Sequence, residues 1–165
     1  MLLLGLAALA SLVLATSTHA RPPARPAHAL RVPHGPFGAA MLRELNRVRA
    51  RHRLPKVRVD GRMSREAHAH SRDMARGRYF AHGPWSGRVA RAAGRAHRVG
   101  EVLGWLTHAS PRREASQIVH AWLRSPTHRH VLLDGGFRRI GIGRVTGAFA
   151  STHAAIYTVD FASAR

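Results

Sequence analysis

Residues 139–161, RIGIGRVTGAFASTHAAIYTVDF, decide the fold class of this chain. The segments 139–145 and 155–161 place apolar residues at every second position, the period that a β-strand requires. The connection between them is rich in Gly, Ala, Ser and Thr, as loops are. The two segments therefore predict an antiparallel hairpin at the end of the chain.

Helices are predicted upstream of this hairpin. Apolar residues recur at helical spacing from Phe37 to about Arg53, after Asp60, and after Ser110-Pro111. Asp60 is placed to cap the second helix and Gly77 to end it, while Ser110-Pro111 is a typical start for the third. A further short helical turn is expected from Ser125 onward.

A strand over residues 98–105 and a short extended segment around residues 57–59 complete the pattern. The glycine- and arginine-rich segment before residue 98 is predicted to be a loop. Helices that precede a terminal hairpin predict an α+β domain with layered architecture.

The N-terminal residues predict an exported protein. Residues 2–14, LLLGLAALASLVL, are shorter than the roughly 20 residues that span a bilayer, and Thr18-His19-Ala20 offers a cleavage site. We therefore predict a signal peptide over residues 1–20, with no transmembrane segment left after cleavage. Residues 21–36 hold five of the nine prolines and predict an extended spacer, and residues 37–165 form the folded domain.

The composition limits the chemistry of the chain. It has 27 Lys+Arg against 8 Asp+Glu, a formal net charge of +19, which predicts non-specific attraction of anions. The arginines are spread along the sequence with few aromatic residues between them, which argues against dedicated nucleic-acid binding. The absence of cysteine excludes disulfides, thiolate metal clusters and cysteine nucleophiles.

Ordered motifs over about residues 37–161 resemble those of the bacterial CAP (SCP-like) domain family. They are Leu45-Asn46-x-Val48-Arg49, Ala67-x-Ala69-His70-Ser71-Arg72-Asp73-Met74-Ala75, Tyr79-Phe80-Ala81-His82, Gly100-Glu101, Trp122-Leu123-Arg124-Ser125-Pro126-Thr127-His128-Arg129, Leu132-Leu133-Asp134, Phe137-Arg138-Arg139-Ile140-Gly141-Ile142-Gly143 and Tyr157-Thr158-Val159-Asp160-Phe161. The resemblance implies an α-β-α sandwich around an antiparallel sheet. The family is largely secreted, which agrees with the signal-peptide prediction.

The resemblance also implies a cleft lined by two histidines and two acids. By motif, His82 matches the first histidine, Glu101 the first acid and His128 the second histidine. Ser125 stands where many members have the second acid, and Val102 where the motif usually has asparagine. The candidate cleft-lining residues are therefore His82, Glu101, Ser125 and His128.

Three of these residues, His82, Glu101 and His128, are also a candidate ligand set for zinc or another divalent metal. Ser125 lacks the Gly-x-Ser-x-Gly setting of an activated serine, so we interpret it as the cap of the turn that presents His128. His70 lies on the apolar stripe of the second helix and is interpreted as a hydrogen-bonded core or cleft-edge residue. Gly141-Ile142-Gly143 is interpreted as a close-packed strand, because no helix follows it as a phosphate loop requires.

Three functions follow from these observations, and the sequence leaves open whether the protein is an enzyme. The first is a secreted, non-catalytic module that binds an unknown extracellular or cell-envelope ligand through the cleft. The second is a divalent-metal-dependent, protease-like hydrolase that uses His82, Glu101 and His128. The third is a cationic binder that acts by charge alone, which steep salt dependence would reveal.

Overall fold

The structure, a computed structural model, describes residues 35–107 and 109–164. These residues belong to one compact unit, Arg31–Arg165. The predicted signal peptide and nearly all of the predicted spacer lie outside the described residues. Within the described part of the chain, the helices are too short or too polar to cross a membrane.

The described residues form five helices and four strands, and the chain ends with the predicted hairpin. The helices are α1 (Gly35–Arg51), α2 (Gly61–Gly77), α3 (Trp85–Ala93), α4 (Pro111–Arg124) and α5 (Pro126–Leu132). The strands are β1 (Arg58–Val59), β2 (Val99–Thr107), β3 (Phe137–Phe149) and β4 (Thr152–Ser163).

The four strands form one sheet in the order β1-β3-β4-β2. The predicted hairpin is confirmed, because β3 pairs antiparallel with β4 and Ile142 lies opposite Val159. β2 also pairs antiparallel with β4, which places Glu101 opposite Asp160. The two-residue β1 pairs in parallel with β3. The sheet is therefore mixed, and the predicted antiparallel arrangement holds for its three long strands.

Helices cover both faces of the sheet. Tyr157 and Val159 of β4 belong to the main core, together with residues from α1 and α4. Alternate residues of the same strand, Ile156 and Ala162, belong to clusters that contain residues of α2 and α3. Because successive strand residues point to opposite faces, α1 and α4 lie on one side of the sheet and α2 and α3 on the other. The α-β-α sandwich predicted from the resemblance is confirmed.

Two glycines let α2 lie directly on β3. A Cβ atom at Gly141 would come within 2.4 Å of the Met63 carbonyl carbon, and one at Gly143 within 2.2 Å of the Ala67 carbonyl oxygen. Both contacts are with backbone atoms, which cannot rotate away. The interpretation of Gly141-Ile142-Gly143 as a close-packed strand is confirmed.

A fully buried arginine ties α1 to the segment between α5 and β3. Arg49 is 0% exposed, and its guanidinium donates to the carbonyl oxygens of Pro55 at 2.8 Å, Leu132 at 2.9 Å, Asp134 at 3.1 Å and Phe137 at 3.2 Å. Each of these carbonyl oxygens gains a charged donor, and that of Asp134 also accepts from the backbone nitrogen of Phe137 at 3.3 Å. The end of α5 is thereby tied to the last turn of α1.

The predicted helix ends are partly correct. Asp60 caps α2 as predicted, since its Oδ1 accepts from the backbone nitrogens of Arg62 at 2.9 Å and Met63 at 3.3 Å. Gly77 was predicted as the C-terminal cap of that helix, but it is the last helical residue, and the cap position falls on Arg78, which adopts φ 52°. The backbone nitrogen of Arg78 bonds the Met74 carbonyl, which stabilises the turn despite the side chain.

Two further expectations about local structure differ from the structure. Ser110 and Ser125 stand at the N-cap positions of α4 and α5, but neither side chain makes a capping hydrogen bond. The proline that follows each serine fixes the first helical turn in its place. The segment predicted as a loop contains α3, whose apolar residues Trp85, Val89 and Ala93 recur every four residues.

Candidate functional site

A cavity of about 1080 Å³ opens along the edge strand β2. One wall comes from α5 and the residues that follow it, and the other from the loop before α3 and the start of that helix. Its polar lining includes His82, Glu101, Thr127 and His130, and its apolar lining includes Trp85 and Phe137. Clefts that mix apolar walls with a few fixed polar groups are typical ligand sites.

His82, Glu101 and Arg88 form a hydrogen-bonded chain at this cavity. His82 Nδ1 lies 2.8 Å from Glu101 Oε1, and Arg88 Nη2 donates a hydrogen bond to Glu101 Oε2. The Glu101 side chain is 0% exposed, whereas 43% of the His82 side chain is exposed. Because a carboxylate only accepts hydrogen bonds, the neutral imidazole of His82 carries its proton on Nδ1. The cavity therefore meets His82 Nε2 as an acceptor.

Asp160 lies next to this chain on the neighbouring strand. It faces Glu101 across the β2–β4 pair, is 0% exposed, and has Arg88 Nη1 3.8 Å from its Oδ2. Within the described residues, neither Asp160 oxygen has a hydrogen-bond partner. Burial, together with the neighbouring Glu101 carboxylate, raises the pKa of Asp160 well above its ordinary value. Arg88 thus balances two buried carboxyl groups, with Glu66 also 3.8 Å from its Nη1.

The loop that carries His82 is attached to α2 through His70. His70 Nε2 lies 3.1 Å from the carbonyl oxygen of Ala81, the residue before His82. Burial lowers the pKa of His70, and the nearby charge of Arg88 lowers it further. A neutral His70 donates through Nε2–H to this carbonyl, and the bond fixes the position from which His82 extends. The interpretation of His70 as a hydrogen-bonded residue at the edge of the cleft agrees with this contact.

The other two candidate residues lie around the start of α5. His128 is half-buried, and burial together with the charge of His82 lowers its pKa, so the two imidazoles are within electrostatic range. Ser125 is half-buried at the junction of α4 and α5, and its carbonyl oxygen accepts from the backbone nitrogen of Arg129 at 2.8 Å. The cavity lining takes Thr127 and His130 from this helix rather than Ser125 and His128. A direct ligand contact for Ser125 or His128 stays a prediction.

The proposed metal ligands can be compared with the observed contacts. Within the described part of the chain, no group of three or more histidine and acidic side chains is arranged to hold a metal ion. Both oxygens of Glu101 are already engaged, one by His82 and one by Arg88. Glu101 therefore does not fit a ligand role in this arrangement, and its contact with Nδ1 orients the ring of His82 instead.

Sequence reasoning missed Arg88 and Asp160. Arg88 is one of many arginines, and the helix that positions it was predicted to be a loop. The spacing of Trp85, Val89 and Ala93 could have revealed that helix. Asp160 was visible as a charged residue inside an apolar strand, but only the strand register shows that it faces Glu101.

These features define a class of protein: an α-β-α sandwich with a cleft at its edge strand and a histidine held there by a buried acid. The profile of the cysteine-rich secretory protein family, CAP, matches residues 42–161 of the chain. The chain therefore belongs to this family, although it contains no cysteine. A comparison with curated proteins found no match.

Solved structures share the fold. An outer surface protein of Borrelia burgdorferi has a TM-score of 0.65 and 18% identity over 78% of this chain and 93% of its own. An extracellular protein with an SCP domain from Bacillus anthracis has a TM-score of 0.61 and 25% identity over 76% of this chain and 40% of its own.

A cysteine-rich secretory protein of Staphylococcus aureus has a TM-score of 0.58 and 15% identity over 76% of this chain and 38% of its own. The chain thus spans less than half of the B. anthracis and S. aureus proteins. These similarities support a bacterial CAP-type fold and do not extend to the activities of the longer proteins.

Proposed function

We propose that this protein is an exported, non-catalytic module that binds an extracellular or cell-envelope ligand in the cleft beside β2. The observation that carries the proposal is the state of Glu101. Its two oxygens are held by His82 and Arg88, and its side chain is fully buried. The acid is thus a positioning group that orients His82, and it is not available as a general base toward a substrate.

Three features support ligand binding at this cleft. The cavity, about 1080 Å³, is large enough for a ligand of moderate size. His82 Nε2 meets it as an acceptor, while the ion pair of Arg98 with Asp134, at 2.9 Å, lies in the opposite wall. Trp85 and Phe137 supply apolar area between these polar groups. Such a surface favours a ligand with both a donor group and an apolar part.

Export is supported by the sequence and by the structural neighbours. Residues 2–14 have the apolar character of a signal-peptide core. Two of the proteins with the same fold are described as an outer surface protein and an extracellular protein. An envelope or extracellular ligand is the class that a protein in this location would meet.

Sedimentation with isolated bacterial cell envelopes tests the proposal. The purified protein is mixed with envelopes at high salt, which screens attraction by charge alone. Wild type and His68→Ala, a control on the exposed face of α2, should sediment with the envelopes, whereas His82→Ala should lose most of its binding. Equal binding of both variants, or loss of all binding at high salt, would mean that the cleft is not the binding site.

A chelator separates this proposal from the metal-dependent hydrolase. Wild-type sedimentation should be unchanged by excess EDTA, because no step of the proposed binding uses a metal. A zinc titration by calorimetry, with His82→Ala/His128→Ala as the control, measures the alternative directly. Saturable one-to-one zinc binding lost in the control, together with chelator-sensitive hydrolysis, would replace the binding module by the hydrolase.

A further inference from the structure

A second pocket lies between α2 and α3, away from the cleft. Its volume is about 290 Å³, and it is lined by Arg62, Arg65, Glu66, Arg88, Arg91 and Ala92. We refer to it as the arginine pocket. Its lining holds four arginines and one carboxylate, so positive side chains outnumber negative ones there even though Arg88 is also paired with Glu101.

Helical spacing brings these arginines together. Arg62 and Arg65 are three residues apart near the start of α2, and Arg88 and Arg91 are three residues apart on α3. Residues with this separation share one face of a helix, and the two faces meet at the pocket. The sequence spreads its arginines along the chain, but the fold gathers four of them around one cavity.

The positive charge of the pocket is left mostly uncompensated. Within the described residues, the guanidinium groups of Arg62, Arg65 and Arg91 make no ion pair or hydrogen bond, and all three residues are exposed. Arg88 is shared with Glu101 and Asp160, two buried side chains that do not line this pocket. Asp60, the acid before α2, is occupied by Arg139 at 2.9 Å and by the helix cap.

Positive charges that lie close together without partners repel one another. An anion placed between them is therefore attracted by each of them. Guanidinium groups present paired N–H donors in a plane that matches two oxygens of a phosphate group. The pocket is about ten times the volume of a water molecule in the liquid, about 30 Å³. It therefore has room for one phosphate group and a few attached atoms.

We propose that the arginine pocket binds a single phosphate group, either as free phosphate or as the phosphomonoester head of a larger molecule. Arg62 and Arg65 approach it from α2 and Arg91 from α3. Because Arg88 contributes to both places, the bound anion lies one side chain away from the Glu101–His82 pair. The proposal does not depend on what the cleft binds.

Calorimetric titration of the purified protein with inorganic phosphate, at constant ionic strength, tests the pocket. Wild type should bind one phosphate saturably. Arg62→Gln/Arg65→Gln should weaken this binding at least about tenfold, since two charge-assisted contacts are lost. Arg72→Gln/Arg76→Gln is the matched control, because it removes the same charge from exposed positions of the same helix outside the pocket. The control should bind phosphate as wild type does.

A second arm of the experiment identifies the source of the phosphate. The same three proteins are sedimented with phosphatidylcholine vesicles, with and without phosphatidic acid, whose head is a phosphomonoester. Selective loss of binding by Arg62→Gln/Arg65→Gln in either arm supports the pocket and names the source. Two results would overturn the proposal: no saturable binding of either probe by wild type, or equal weakening in the two double variants. Thermal unfolding of each variant confirms that it is folded.

Discussion

Arg88→Met is the change that most directly tests how the buried acids of the site are stabilised. Arg88 is the cation that contacts both Glu101 and Asp160, and both of those side chains are 0% exposed. Methionine keeps much of the apolar stem and removes the charge. Glu101 would then be a buried carboxylate that keeps its contact with His82 but has lost its arginine, and breaking a buried ion pair in this way typically costs about 3–5 kcal/mol.

The cost of protonation sets an upper limit on this loss. A carboxyl with an ordinary pKa of about 4.3 can be neutralised at pH 7 for about 3–4 kcal/mol. The variant can therefore bind a proton at this cost instead of burying an uncompensated charge. We therefore expect Arg88→Met to lose about 3 kcal/mol of unfolding free energy at pH 7. The loss should shrink toward pH 4.5, because the proton then binds at little cost.

Urea unfolding followed by circular dichroism measures both quantities. Arg91→Met is the matched control, since Arg91 is exposed on the same helix, and it should change stability by less than about 0.5 kcal/mol. Adding Glu101→Gln to Arg88→Met should recover part of the loss, because the stranded charge is gone. A loss below about 1 kcal/mol, or one that does not depend on pH, would refute the reasoning.

Three further predictions concern the fold and its charges. Gly143→Ala should destabilise the protein by about 3 kcal/mol or more in urea unfolding, because its Cβ would collide with the Ala67 carbonyl. Gly147→Ala is the control, since Gly147 has open space around it in the same strand, and it should have little effect. Similar losses in both variants would contradict the close packing. Asp160→Asn should become more stable relative to wild type as pH rises from about 4 toward neutrality, because the raised pKa of Asp160 keeps it protonated in the folded protein while the unfolded chain already releases the proton. A constant difference in unfolding free energy across that range would contradict this prediction. Arg49→Met should cost about 3–5 kcal/mol of unfolding free energy, since four carbonyl oxygens lose a charged donor, and a loss under about 1 kcal/mol would show that water replaces the guanidinium.

Much of the fold was predictable because its signals are local. The alternation in residues 139–145 and 155–161 reports strand geometry directly, and the hairpin needs only a short connection. Asp60 could be recognised as a cap because its side chain bonds nitrogens two and three residues away. The family motifs then supplied the layers of the sandwich, which no local pattern reports.

The errors arose where neighbouring residues could each take the same structural role, or where a contact between distant parts of the chain determines the structure. α3 was missed because its glycine and two arginines dilute an apolar stripe of only three residues. Gly77 was expected at the cap position that Arg78 occupies with φ 52°, where glycine would have no steric penalty. The parallel pairing of β1 with β3 joins residues that are far apart in the sequence, and such a contact is not encoded in the local sequence period.

The residues of the site could be predicted from the sequence, but the contacts between them could not. His82 and Glu101 were identified from motifs, and the structure places them in contact. What holds Glu101 depends on Arg88 from α3 and on the register that sets Asp160 opposite it. The arginine pocket depends in the same way on the crossing of two helices, so each pair of arginines looked like ordinary surface charge.

The tautomer of His82 is the most direct test of the account, because the whole description of the cleft follows from the contact between Nδ1 and Glu101. Long-range ¹H–¹⁵N NMR spectra of the imidazoles, recorded at alkaline pH where the rings are neutral, distinguish the two nitrogens. The account predicts a proton on Nδ1 of His82 and an unprotonated Nε2 facing the cleft. A proton on Nε2 in the wild-type protein would contradict it, and with it the acceptor that the proposed ligand would meet.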